Sequence, residues 1–210
     1  MEISLLKFFC SHHMDHCGGN DDAVKLFSVP VYGGDDRIQA LTNKVGKEDT
    51  ISLGELTLRV LCTPCHTSGH VCYYVDQGQG QRAVFTGDTL FQGGCGRFFE
   101  GTAPQMETAL NEVLGALPHD TQVFCGHEYT VANLQYGHHA DPDNKELAAR
   151  LQWAKEQREK GLPTIPSTIG EEKQINVFMR TKLLPKYGSN PVDVMGALRE
   201  EKNNWSPPKL

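Results

Sequence analysis

Three histidines and an aspartate fall within five residues, 12–16, directly after an apolar run at residues 3–9. An apolar run of this length predicts a buried strand, and the Gly18-Gly19-Asn20 that follows predicts a turn into a helix. The polar cluster therefore stands at the C-terminal end of a strand, where open α/β sheets build their ligand sites. Imidazole and carboxylate groups at this density suit zinc or another divalent first-row metal, so the cluster predicts a metal site rather than a chance polar loop.

Composition excludes several classes of function. The chain has 210 residues, 39% of them hydrophobic, and a net charge of −6. An acidic chain is a poor nucleic-acid binder, and no run of 18 apolar residues is present to span a membrane. Seven scattered cysteines and the lack of a signal or transit peptide favour reduced thiols in the cytoplasm, with the mitochondrial matrix as an alternative for longer forms. We expect a monomer whose anionic ligands are bound by local basic side chains.

Hydrophobic patterning predicts the other elements. Leu56, Leu58, Val60 and Cys62 share one face of a strand at residues 55–62, and a glycine-containing turn at 76–80 joins the next two strands as an antiparallel hairpin. Further predictions are helices at 36–44 and 102–117, an irregular glycine-rich loop at 93–97, and a short strand at 123–125. Beyond residue 128 the pattern is helical only. We therefore predict a metal-binding domain at residues 1–128 and a helical domain at 129–210.

Ligand-grade side chains also stand at the ends of later predicted strands: His66, Asp88 and His127. Each alone is more often a structural residue than a ligand. Together with the first cluster, however, they occupy strand ends of one α/β domain. Six such side chains exceed what one tetrahedral zinc needs and match two metal ions that share a bridging carboxylate. Asp88, alone in its loop, is the natural bridge.

The cluster resembles the His-x-His-x-Asp-His motif of the metallo-β-lactamase superfamily. Five further motifs are similar to glyoxalase II, the hydroxyacylglutathione hydrolase family of that superfamily: Thr-Pro-Cys-His-Thr-Ser-Gly-His at 63–70, Phe-Thr-Gly-Asp-Thr-Leu-Phe at 85–91, Cys-Gly-His-Glu-Tyr at 125–129, Pro-Thr-Ile-Pro-Ser-Thr at 163–168 and Arg-Glu-Glu-Lys at 199–202. The resemblance extends from about residue 10 to the C-terminus. It implies an αββα sandwich with a C-terminal helical domain.

The resemblance also implies an activity, the hydrolysis of S-D-lactoylglutathione to glutathione and D-lactate by attack of a metal-bound hydroxide. One metal would take His13 and His66, and the other Asp15, His16 and His127, with Asp88 bridging. Zinc is the first expectation for both ions, with iron or manganese as alternatives. Asp88, Asp15 and His16 would be catalytic, and the glutathione-binding positions would be Arg97, Phe99, Tyr129, Arg199 and Lys202. Arg199 and Lys202 are three residues apart on one predicted helix face, so both can reach an anionic tripeptide.

The chain departs from the family pattern in three places. Ser11 occupies the position of the first motif histidine, which predicts a weakened first metal site because a serine hydroxyl is a poor zinc ligand. Neighbouring side chains point to opposite sides of an extended segment, so we expect His12 not to take its place. Arg97 and Phe99 replace the lysine and tyrosine usual in the glutathione pocket. Only about ten residues precede the motif, which predicts an N-terminally truncated sandwich with uncovered strand edges.

Two alternatives to an active hydrolase remain open. The first is a catalytically impaired relative that still binds glutathione or metal, which Ser11 and the short N-terminal segment favour. The second is a nuclease on the same fold, which the acidic composition and the glutathione-type C-terminal motifs disfavour. Wild-type-like turnover with stoichiometric metal would eliminate the first, and the absence of nucleic-acid cleavage would eliminate the second.

Overall fold

The computed structural model of the protein describes residues 6–78 and 80–207. The strands are β1 (Lys7–Phe9), β2 (Val31–Gly33), β3 (Asn43–Lys44), β4 (Thr50–Leu53), β5 (Leu56–Cys62), β6 (Val71–Asp76), β7 (Arg82–Gly87), β8 (Leu90–Phe91), β9 (Gly94–Cys95), β10 (Gln122–Cys125) and β11 (Ser167–Thr168). The helices are α1 (Met14–Cys17), α2 (Asn20–Phe27), α3 (Ala103–Glu107, continued by a π-helix at Thr108–Leu114), α4 (Thr130–Ala140), α5 (Lys145–Glu159), α6 (Ile169–Ile175) and α7 (Pro191–Asn204). Of the first predicted strand, residues 3–5 lie outside the described residues.

Two sheets share an apolar core. β1, β2 and β3 form a parallel sheet, and the order β11-β10-β7-β6-β5-β4 forms a mixed six-stranded sheet. The core between them takes Phe8 and Tyr32 from the first sheet and Leu58, Val60 and Tyr73 from the second. Because successive side chains of a strand point to opposite faces, the neighbours of these residues face outward.

Helices cover the two outer faces. Phe9 and Val31 of the small sheet pack with Val24 of α2. On the far side of the large sheet, Tyr74 and Val84 join the largest core, to which the helices contribute residues such as Leu110, Leu134 and Leu198. The layers therefore run helix, sheet, sheet, helix, which is the predicted αββα arrangement. Among the described residues, no helix has the length and apolar character needed to cross a bilayer.

Most predicted elements are present, but the prediction of a helix at residues 36–44 is wrong. The Asp35 carboxylate accepts a hydrogen bond from the Arg37 backbone nitrogen at 3.0 Å, a bond that could equally begin a helix, but the chain continues in turns. Ala40 then takes a left-handed conformation with φ 55°, which no helix interior tolerates. The segment consequently continues as turns into β3.

Two short strands also differ from the sequence-based expectations. The loop predicted at residues 93–97 contains β9, which pairs antiparallel with β8. The C-terminal region, predicted to be helical only, contributes β11 to the edge of the six-stranded sheet through antiparallel pairing with β10. A two-residue strand has no period to detect, and tertiary pairing alone creates it. The division into domains at residue 128 stays a prediction.

A buried glutamate connects α6 to the turn between β8 and β9. Glu172 of α6 is fully buried, and its Oε2 accepts hydrogen bonds from Gly93 N and Asn176 Nδ2, both at 2.9 Å. Its Oε1 accepts from Ser167 Oγ at 2.6 Å. Burial raises the pKa of the Glu172 carboxyl to about 7 despite these bonds.

We expect Glu172→Gln to remove a pH dependence of stability. Because the folded chain holds the Glu172 proton more tightly than the unfolded chain, whose carboxyl titrates near 4.5, native stability decreases as pH rises from about 5 to 7. The free energy of unfolding of the native chain minus that of the variant should therefore fall over this window, by on the order of 2 kcal/mol. Urea unfolding of both proteins with a chelator, between pH 5 and 8, measures the difference; parallel curves would contradict the expectation.

Candidate metal centre

The sheet topology brings the predicted ligands to one edge. β7 and β10 are parallel, Gly87 is paired with Cys125, and Gly126 N donates to Gly87 O at 2.9 Å. The residues that follow these strands, Asp88 and His127, therefore leave the sheet side by side. This is the edge at which the C-terminal ends of parallel strands build ligand sites.

Antiparallel pairing brings His66 to the same edge. β5 ends, and β6 begins, where β7 ends, because β5–β6 and β6–β7 are antiparallel pairs. The connecting loop at residues 63–70 carries His66. Val71 N also donates to Cys10 O at 3.1 Å, which attaches the segment after β1 to this loop. His13 then precedes α1, and the one-turn helix presents Asp15 and His16.

The six side chains form two groups of three. His13, His66 and Asp88 make the first metal group, and Asp15, His16 and His127 make the second. Within each group the candidate ligand atoms lie within 4.8 Å of one another. The His66 Nε2–His13 Nδ1 distance is 3.1 Å, and the His127 Nε2–His16 Nε2 distance is 3.2 Å. Atoms at these separations can converge on one small cation.

Asp88 stands between the two groups. Its Oδ2 lies 3.4 Å from His66 Nε2 in the first group, and 3.3 Å and 3.5 Å from His16 Nε2 and His127 Nε2 in the second. Burial raises the pKa of the Asp88 carboxyl, but its hydrogen bonds with His16 and His66 reverse the shift and hold the pKa well below the usual range. The carboxylate is therefore ionised and faces both groups.

The residues present fit a divalent metal. Imidazole nitrogens and carboxylate oxygens are the donors that zinc and similar ions prefer. Asp88 Oδ1 is buried and lacks a hydrogen-bond partner among the described residues, which an ion would supply. A Cβ on Gly126 would collide with this oxygen and lie 2.9 Å from His16 Cε1, so glycine leaves the space free. The fold and the two ligand groups indicate divalent-metal binding.

Ser11 and His12 lie outside both groups. Ser11 is buried, and its Oγ lacks a hydrogen-bond partner in the described part of the chain. His12 points to Asp35, with 3.2 Å between Nδ1 and Oδ2. His12 therefore faces Asp35 and not the first metal group, and its failure to replace the histidine missing at Ser11 stays a prediction.

Hydrogen bonds from residues outside the two metal groups orient His66 and Asp88. His66 Nδ1 lies 2.9 Å from the Arg97 carbonyl oxygen, which accepts a hydrogen bond from the Nδ1–H group and leaves Nε2 free to bind an ion. His70 Nε2 accepts from Asp88 N at 3.3 Å, and its Nδ1 lies 3.0 Å from Thr63 Oγ1 and from Thr89 Oγ1. Burial lowers the pKa of His70 to about 3, so the ring is neutral. Only the position of His70 beside His66 in the 63–70 motif hints at this role.

A cavity of about 370 Å³ opens beside the metal groups. The five predicted glutathione-binding residues all line it: Arg97, Phe99, Tyr129, Arg199 and Lys202. His13, Asp15, His66, Asp88 and His127 line it too. One cavity therefore joins the candidate metal ligands to the candidate substrate-binding residues. Phe99 and Tyr129 are 61% and 50% exposed, unusual for large aromatic side chains.

Two basic side chains, the buried Arg199 and the half-buried Lys202, make the cavity suited to an anion. Arg199 is buried on α7, where Nη1 donates to Cys95 O at 3.0 Å and Nε has no partner among the described residues. Lys202 Nζ donates to Asn133 Oδ1. Burial and the neighbouring Arg199 lower the pKa of Lys202 to about 7. A carboxylate in the cavity would be attracted by both groups and would restore the lysine's charge.

Comparisons with known proteins agree with this geometry. The model of the metallo-beta-lactamase superfamily matches residues 12–127, and that of the hydroxyacylglutathione hydrolase C-terminus matches residues 128–205. The chain is 46% identical to the hydroxyacylglutathione hydrolase-like protein of Gallus gallus, over 94% of this chain and 73% of that protein. It is 47% identical to the cytoplasmic hydroxyacylglutathione hydrolase of Arabidopsis thaliana, over 92% of this chain and 78% of that protein. Among solved structures, ETHE1 from Myxococcus xanthus superposes with a TM-score of 0.64 at 25% identity, covering 93% of this chain and 68% of that one.

Proposed function

This chain belongs to the hydroxyacylglutathione hydrolase family of the metallo-β-lactamase superfamily, and we propose on that basis that it hydrolyses S-D-lactoylglutathione to glutathione and D-lactate. The main support is one cavity that is lined by residues of both metal groups, by the buried Arg199 and by the half-buried Lys202. A thioester bound through its carboxylates to these cations has its acyl carbon beside the metal groups. The name of the Arabidopsis relative and the free cysteines support the cytoplasm as the compartment. The oligomeric state stays the prediction made from the sequence, a monomer.

Two divalent ions are proposed, zinc first and iron or manganese as alternatives. His13, His66 and Asp88 would hold one ion, and Asp15, His16 and His127 the other, with Asp88 shared between them. Bound there, such ions lower the pKa of water to roughly 7 and polarise the thioester carbonyl. The first group has two imidazoles where the family motif supplies three, because of Ser11. We therefore expect the first ion to bind more weakly than the second.

The protein's own side chains position the reactants. Asp88 is ionised and contacts three histidines, and so holds the side chains of the two groups in fixed positions relative to one another. The Tyr129 ring stacks on His127, with 4.8 Å between centroids and 14° between planes, and lines the same cavity as the metal groups. Because a thiolate has a low proton affinity compared with an alkoxide, its departure requires no strong general acid. The nucleophile is water, so none of the seven cysteines is required for the reaction.

We expect Arg199→Met to raise KM for S-D-lactoylglutathione about 10- to 100-fold with a smaller effect on kcat, since a hydrogen bond to a charged group is worth about 1.5–3 kcal/mol. The matched substrate is S-D-lactoyl-N-acetylcysteamine, which has the same thioester but lacks the carboxylates of glutathione. The variant should hydrolyse this substrate as the native chain does. Steady-state kinetics with both thioesters makes the comparison.

Arg180→Met is the control for loss of a partly buried arginine, because Arg180 pairs with Asp141 at 3.1 Å and does not line the cavity. Equal losses on both thioesters, or an unchanged KM for lactoylglutathione, would contradict the proposed binding mode. A native chain that binds lactoylglutathione and metal without turnover would instead favour the catalytically impaired relative.

A further inference from the structure

Arg37 joins two carboxylates, Asp35 and Glu100, which lie against the segments that carry His13 and His66. Its Nε donates to Asp35 Oδ1 at 2.9 Å, and its Nη2 donates to Asp35 Oδ2 at 2.7 Å. On its other edge, Nη1 donates to Glu100 Oε1 at 2.6 Å and Nη2 to Glu100 Oε2 at 2.7 Å. Paired bonds of this kind give arginine a defined geometry that lysine cannot reproduce.

Glu100 attaches this pair to the His66 loop. Ser68 donates to Glu100 Oε2 from its backbone nitrogen at 2.7 Å and from its hydroxyl at 2.8 Å. Ser68 is two residues from His66, and Glu100 is three residues from Arg97, whose carbonyl orients His66. The two segments that determine the position of the His66 ring are therefore joined through Glu100.

Asp35 lies against the His13 side. Its buried carboxylate is 3.2 Å from Nδ1 of His12, the residue before His13, but the geometry is not that of a hydrogen bond. A Cβ on Gly69 would lie only 2.7 Å from Asp35 Cβ, so the 63–70 loop also packs directly on Asp35. The hydrogen bonds from Arg37 lower the pKa of Asp35 to about 2, and the pKa of Glu100 lies well below its usual range for the same reason. Both carboxylates stay ionised at neutral pH.

An ordinary surface ion pair is the competing explanation. Arg37 is 47% exposed, and pairs at such positions contribute about 0–1 kcal/mol to stability. Arg37 differs from an arginine of such a pair in the number of chain segments that it joins. Asp35, Ser68 and Glu100 come from three segments far apart in sequence, and Arg37 contacts all three. Among the described residues, the hydrogen bonds and ion pairs of Arg37, Asp35, Ser68 and Glu100 include none to the second metal group.

We propose that Arg37 is a positioning residue for the first metal group: by joining Asp35 to Glu100 it sets the separation of His13 and His66, and so the affinity of that group alone. The proposal rests on the proposed two-ion function. We expect the positioning by Arg37 to have a larger effect in this chain than in a chain with three imidazoles in the first group, because Ser11 leaves the first group with two. The expected stability effect is small, whereas the expected metal-affinity effect is large.

The test is a cobalt(II) titration of the metal-free chain and of Arg37→Met, followed by the visible absorption of the bound ion. The cobalt-binding step that is absent from the titration of His13→Ala is assigned to the first metal group. We expect Arg37→Met to weaken the first step about 10-fold and to leave the second unchanged. This is the lower end of the losses caused by removing groups that bond metal ligands directly, because Arg37 reaches the ligand segments only through Asp35, Ser68 and Glu100. Glu100→Gln, which keeps the shape but not the charge, should weaken the same step less.

Arg82→Met is the matched control. Arg82 also bridges two carboxylates, with Nε at 3.0 Å from Asp76 and Nη1 at 2.8 Å from Asp120, but at the end of β7 away from Asp88. Unchanged cobalt affinity in Arg37→Met, equal weakening of both steps, equal weakening in Arg82→Met, or a native chain without a first step would overturn the proposal. The cobalt titration contains no substrate, so its outcome is independent of hydrolysis. The proposal for Arg37 can fail although the native chain hydrolyses lactoylglutathione, and it can hold although the native chain does not hydrolyse lactoylglutathione.

Discussion

Asp88→Asn is expected to abolish hydrolysis of S-D-lactoylglutathione and to weaken both metal groups. One oxygen of Asp88 lies within 3.5 Å of histidine nitrogens from both groups. The amide keeps the shape of the side chain but removes the charge that the two ions would share. We expect turnover to fall about a thousandfold or more, the scale on which loss of a directly participating electrostatic group acts.

Metal content and steady-state turnover of the purified variant test this expectation. Asp76→Asn is its control, because Asp76 pairs with Arg82 at the opposite end of the hairpin. That variant should retain metal and activity. An Asp88→Asn chain with two ions and native turnover would show that Asp88 is not a shared ligand.

Gly126→Ala is expected to be the second most damaging change. The added methyl group would collide with Asp88 Oδ1 and lie 2.9 Å from His16 Cε1 and 3.2 Å from the backbone carbon of Gly87. The backbone cannot yield easily, because Gly126 N is bonded to Gly87 O. The side chains of Asp88 and His16 must therefore move, and a displacement of about 1 Å in an active site costs about a hundredfold in rate.

Gly46→Ala is the matched control for this variant. A Cβ there meets nothing within 4 Å, and Gly46 has no positive φ. Turnover, metal affinity and the urea midpoint should change only in Gly126→Ala, with about 1–3 kcal/mol lost to overpacking. Native-like metal affinity in the folded Gly126→Ala chain would mean that the space beside Asp88 is not needed.

Local patterns predicted the central strands well. Alternation predicts β5, and the glycine-containing turn predicts the β6–β7 hairpin, because both signals lie within a few adjacent residues. Asp88 and His127 could be assigned to one site because each follows a strand and parallel strands end at one edge. The ligand roles of these residues remain predictions, but their proximity follows from the topology of the sheet.

Interactions between distant segments explain what the sequence did not reveal. The segment at 36–44 has helical composition, but Ala40 takes a positive φ and residues 43–44 pair with β2 as a strand. β11 exists only because its two residues pair with β10. The contact of His70 with the Asp88 backbone likewise depends on the fold, since 18 residues separate the two.

If the chain is a two-ion thioester hydrolase, its hydrolysis of S-D-lactoylglutathione must depend on bound metal, which can be followed as zinc is added to the metal-free chain. We expect no hydrolysis without metal, and turnover that continues to rise until two ions are bound, with the weaker ion absent from the His13→Ala chain. Hydrolysis that is undiminished in the metal-free chain, or absent with two ions bound, would contradict this expectation.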